Sequence, residues 1–120
     1  MNRYSFSILA LLLSGCAYDV ADKVSDPKPV CVTPDLVTYS QNIQPLLARN
    51  CLSCHSAALR TGNVNLEDYT ELSQRASTGQ LMGVVSHAPG YDPMPKNGAK
   101  ISACDIALLQ KWVDAGAPQN

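Results

Sequence analysis

The chain has 120 residues, enough for one domain, and a formal charge of −1 that leaves no basic stripe for nucleic acid. Aromatic residues are few, with one Trp and one Phe, and a domain this small has difficulty building a core from side chains alone. A buried apolar prosthetic group would supply part of the missing surface.

The N-terminus reads as an export signal. Arg3 gives a positive start, and residues 6–13 form an apolar run too short to span a bilayer. The run ends in Leu13-Ser14-Gly15-Cys16, which resembles the lipobox of bacterial lipoproteins. That resemblance implies cleavage before Cys16 and lipidation of its thiol, with residues 1–15 as the signal peptide. The alternative is an ordinary secretory signal cut nearby. Both carry the mature protein out of the cytoplasm, and several acyl chains on one residue would anchor it stably to a membrane.

Residues 16–34 then form a lipidated N-terminus and flexible tether, rich in Asp, Lys, Ser and Pro, with Pro27, Pro29 and Pro34 opposing regular structure. Removing the signal takes away Arg3 and leaves 8 basic residues against 10 acidic ones. The globular domain occupies residues 35–120.

Within it, Ile43, Leu46 and Leu47 give one apolar helical face over residues 40–50, with Ser40 as a candidate N-cap. Pro45 belongs in an early turn or at a bend. This helix leads into Cys51-Leu52-Ser53-Cys54-His55, the attachment pattern of a c-type haem. Each thiol can add to one porphyrin vinyl group, and His55 can then donate an imidazole nitrogen to iron. A redox dithiol would want a βαβ pattern, which is missing, and would leave His55 unexplained. Zinc would want two further ligands nearby.

Residues 56–64 read as a loop with Gly62 and Asn63 as turn residues. Asn65 is a candidate cap for a helix to Ala76, bearing Leu66, Tyr69 and Leu72, with Gly79 as a stop. Leu81, Val84 and Val85 share a face of a short helix over 81–86. Residues 88–98 contain Pro89, Gly90, Pro93 and Pro95, and the prolines favour an extended geometry for Asp92 and Met94. A thioether on such an arm suits an axial ligand. Met82 and His87 are rival second ligands, although Met82 also suits core packing.

The strongest helix is predicted over 101–116. Ser102 and Asp105 resemble a capping box, Ile106, Leu108, Leu109, Trp112 and Val113 form a broad apolar face, and Gly116 and Pro118 end it. Arg60, Lys96 and Lys100 are candidate partners for haem propionates, Tyr91 is a candidate to line the ring, and Trp112 suits helix packing.

Five cysteines are accounted for in turn. With lipid on Cys16 and haem on Cys51 and Cys54, Cys31 and Cys104 remain for a disulfide in an oxidising compartment, the alternative being two buried free thiols. Its loop closure would contribute roughly 3–4 kcal/mol.

Taken together, Tyr39, Ile43-Gln44-Pro45-Leu46, the Cys51–His55 motif, Gly62, Leu66, Gly83, Met94-Pro95 and Trp112-Val113-Asp114-Ala115-Gly116-Ala117-Pro118 make the chain resemble the small monohaem cytochrome c domains of bacterial exported proteins and lipoproteins. The resemblance implies an all-α, cytochrome c-like fold: three to five short helices around one covalent haem c, with the terminal helices crossing beside it. Cys51 and Cys54 would carry the thioethers, with His55 proximal and Met94 distal. His/Met ligation favours reduced iron relative to two nitrogen ligands. The implied function is single-electron transfer between redox proteins, in the bacterial cell envelope and facing the periplasm or exterior. It needs no small-molecule substrate. The rivals are a peroxidase-like enzyme using His87 at a vacated distal site, and a gas-binding or accessory haem module.

Overall fold

A computed structural model describes residues 30–120. The signal segment, Cys16 and the tether up to residue 29 lie outside the described residues. Those described contain five α-helices and no strand: α1 (Gln44–Asn50), α2 (Leu52–His55), α3 (Tyr69–Ser77), α4 (Gln80–Val85) and α5 (Ala103–Asp114). The all-α reading holds at this level.

The first helical segment begins earlier than the sequence pattern placed it. A π-helical turn, Tyr39–Ile43, precedes α1, and Thr38 rather than Ser40 caps it, its hydroxyl accepting from Gln41 N–H. Ile43 N–H reaches back five residues to the Thr38 carbonyl at 3.2 Å. This wider turn accommodates Pro45 in the first turn of α1, where its missing N–H removes no helical bond. Asn120 satisfies two more donors: its side-chain oxygen accepts from Tyr39 N–H and its backbone oxygen from Ser40 N–H.

α3 starts at Tyr69, not near Asn65, because Asp68 is the cap and accepts from Glu71 N–H. Asn65 is buried, and its side chain accepts from Glu67 N–H two residues on, closing a local turn. Gly79 adopts φ 77° between α3 and α4 and serves both ends. α5 is two residues shorter at each end than the predicted span. Ser102 caps it through Asp105 N–H at 3.0 Å, while the Asp105 carboxylate turns to Arg49 and Asn50 of α1.

The core joins these pieces. Ile43, Leu46, Leu47, Leu72, Leu109 and Trp112 are fully buried. Tyr39 stacks on Trp112 with centroids 6.0 Å apart and meets Tyr69 edge-on at 5.4 Å. The indole N–H donates to the Pro118 carbonyl at 2.9 Å, and Tyr69 Oη to that of Ala117 at 2.6 Å. Trp112 is therefore a packing residue. Met82 packs against the same core, as predicted.

Cys31 and Cys104 are joined, with their Cα atoms 5.0 Å apart. Lys111 Nζ donates to the Pro34 carbonyl at 2.6 Å. The last residues of the tether region thus run along α5 from its first turn to its third.

Candidate functional site

Cys51 marks a break between α1 and α2, with φ −127° and ψ −40°. Its carbonyl accepts from both Cys54 N–H and His55 N–H, so residues 51–55 form one turn. Spacings of three and four residues bring Cys51, Cys54 and His55 to one face of that turn. The segment that follows wraps His55. Leu66 N–H donates to the His55 carbonyl at 2.8 Å, and His55 Nδ1 donates to the Thr61 carbonyl at 3.0 Å. With Nδ1 carrying the proton, the neutral ring presents Nε2 as a free lone pair. Thr61 is reached through a tight turn that needs left-handed backbone at Arg60, Gly62 and Asn63.

These three side chains line a cavity of about 650 Å³, within the range that holds a large ligand. Its apolar lining includes Val64, Leu66, Leu81, Val84, Val85 and Ile101. The loop after α4 contributes Tyr91, Asp92, Met94, Pro95 and Lys96. Met94, far from the cysteines in sequence, therefore shares one cavity with Cys51, Cys54 and His55. Together they offer two thiols, one imidazole nitrogen and one thioether sulfur.

The two thiols differ in setting. Cys54 is exposed, whereas burial, and then the nearby Asp105 carboxylate, push the Cys51 thiol up to about 11. Without a covalent partner, Cys51 stays a protonated thiol across the physiological range.

The loop carrying Met94 is fastened to α4. Met94 N–H donates to the Val84 carbonyl at 3.0 Å, and Ala88 N–H to that of Gly83 at 2.9 Å. The Tyr91 ring lies over Gly83, where an added Cβ would come within 2.6 Å of three ring atoms. The Met94–Pro95 peptide is cis. Neither rival ligand belongs to the cavity lining: Met82 packs on the core, and His87 Nε2 donates to the Met94 carbonyl at 3.0 Å.

Among the candidate cationic residues, Lys96 lines the cavity, but Arg60 and Lys100 do not. Arg60 lies 3.8 Å from Glu71. Arg75, which the sequence pattern did not single out, does line it, held by Glu71 at 2.8 Å and by Gln80. The Arg75 bond keeps the Glu71 carboxyl below its usual range. A helix pattern with Glu71 and Arg75 four apart signals only a surface pair, so nothing local marked Arg75 as cavity-facing.

Among the described residues no three or more His, Cys, Asp and Glu side chains gather as a metal-ion cluster, and no helix is long and apolar enough to cross a membrane. No family model, curated protein or solved structure matches the chain.

Proposed function

We propose that this chain is an exported monohaem c-type cytochrome that carries single electrons. The observation that carries the reading is the convergence of Cys51, Cys54, His55 and Met94 on one largely apolar cavity. The donor set fits a covalently held haem: two thiols that would form thioether bonds, and an imidazole nitrogen and a thioether sulfur that would hold the iron. Bound there, haem would supply the one-electron ferrous/ferric couple.

The chain's own residues do the rest. Thr61 orients His55 so that Nε2 is the free nitrogen. Val64, Leu66, Leu81, Val84, Val85 and Ile101 line the cavity and would exclude water from a bound porphyrin. Arg75 and Lys96 line the cavity, each beside a carboxylate of its own, and would be the cations within reach of the haem carboxylates. Exposed Cys54 and Tyr91 set the cavity mouth at the surface, where a redox protein can approach. A cytochrome c-like helix arrangement, a lipid anchor on Cys16 and a site of action outside the cytoplasm complete the reading, with redox proteins as donor and acceptor.

Production of the full chain in a bacterium equipped for c-type haem maturation tests it. Mass spectrometry of denatured protein should show one added haem, absent when both Cys51→Ala and Cys54→Ala are introduced. The mature protein should titrate as a one-electron couple. Peroxide turnover with a high-spin iron would contradict the carrier function.

A further inference from the structure

The Met94 arm is held by more than its proline neighbours. Both polar groups of the Met94 backbone are engaged: its N–H donates to Val84 O at 3.0 Å, and its carbonyl accepts from His87 Nε2 at 3.0 Å. A carbonyl can only accept, so Nε2 must carry a hydrogen. His87 sits at φ 55°, a left-handed conformation rare outside glycine that His, Asn and Asp tolerate best. Its own N–H leans on the same Val84 carbonyl at 3.4 Å. The loop therefore leaves α4 through a strained residue whose ring reaches seven positions ahead to the methionine. The ring is part-buried and lies outside the cavity lining, so it touches the arm and not the space the arm helps enclose.

We infer that His87 is a positioning residue that clamps the Met94 arm, setting how readily the sulfur gives way to a competing iron ligand. This rests on the proposed His55/Met94 ligation. Among the described residues, the ion pair within the arm is Lys96 with Asp92 at 3.6 Å, and both side chains are exposed, so it adds little restraint. Loss of the His87 bond leaves Val84 as the remaining backbone anchor of Met94. The arm then opens at a lower free energy, and a foreign ligand gains by the same factor that Met94 loses.

The test is imidazole titration of the matured ferric protein at fixed neutral pH, in wild type, Met94→Ala, His87→Gly, His87→Asn and His87→Gln. Gly and Asn both accept a left-handed φ, so neither adds backbone strain, and neither can reach the Met94 carbonyl. Gln places an amide N–H close to the position of Nε2. The expected result is imidazole affinity raised about two- to tenfold in the Gly and Asn variants, the worth of one net hydrogen bond, and restored toward wild type in the Gln variant. Wild-type affinity in both Gly and Asn variants, with affinity raised in Met94→Ala, overturns the clamp and leaves the ligation standing. Equal loosening in Gln, Gly and Asn, with the Gln variant as stable to denaturant as the Asn variant so that left-handed strain at Gln is not the cause, also overturns it. Unchanged affinity in Met94→Ala overturns the ligation itself, and the clamp with it.

Discussion

At the residue scale, the fit between Gly83 and Tyr91 decides whether the loop can lie on α4. Alanine in a helix interior normally gains about 0.5–1 kcal/mol over glycine. At Gly83 the new methyl would meet the Tyr91 ring at 2.6 Å, and overpacking of that kind costs about 1–3 kcal/mol. Gly83→Ala should therefore destabilise the protein, whereas the same change made on Tyr91→Ala should stabilise it. Denaturant unfolding of the four proteins in that cycle measures the sign in each background. The same sign in both would remove the ring as the cause. Residue chemistry was also where the sequence was most legible. The spacing of Cys51, Cys54 and His55 already put them on one turn, and the three side chains do line one cavity. The settings of His87 and Arg75 were not legible: His87 meets the Met94 carbonyl only through the path of the loop after α4, and Arg75 is held at the cavity by Glu71 and by Gln80 at the start of α4.

At the scale of elements, α5 is the clasp of the domain. Its N-terminal turn holds Cys104 against Cys31, its Asp105 holds Arg49 and Asn50, and its Trp112 closes on Tyr39. The bridge closes a long loop, with partners 73 residues apart, and its loss should lower stability by roughly 3–4 kcal/mol. The paired Cys31→Ser and Cys104→Ser variant should melt roughly 12–32 °C lower, as followed by helical circular dichroism. An unchanged melting temperature would mean that packing and the Asp105 contacts hold α5 without the bridge. The apolar face, the cap at Ser102 and the end at Gly116 made α5 readable in advance, since local propensity and burial agree there. The start of α3 was less readable. Asn65 and Asp68 are both good caps, and the choice falls to Asp68 because Asn65 is buried in a turn of its own. The π-helical turn at Tyr39–Ile43 was missed for a related reason: its wider bonds arise from Pro45 and the Thr38 cap together, and a period of 3.6 does not reveal it.

At the scale of the whole molecule, two regions far apart in sequence close on one space. The turn carrying Cys51, Cys54 and His55 comes at the end of α1, and the arm carrying Met94 follows α4. The core of Ile43, Leu46, Leu47, Leu72, Leu109 and Trp112 sets these regions relative to each other, and the cavity is what their packing leaves open. Should His55 and Met94 both hold the iron of the proposed haem, the centre would pass electrons without binding substrate. The most direct measurement is the near-infrared spectrum of the matured ferric protein beside that of Met94→Ala. The expected result is a methionine-to-iron charge-transfer band in the wild type that is absent from the variant. A wild-type spectrum lacking that band, with high-spin iron that binds carbon monoxide rapidly on reduction, would contradict a closed His55/Met94 centre.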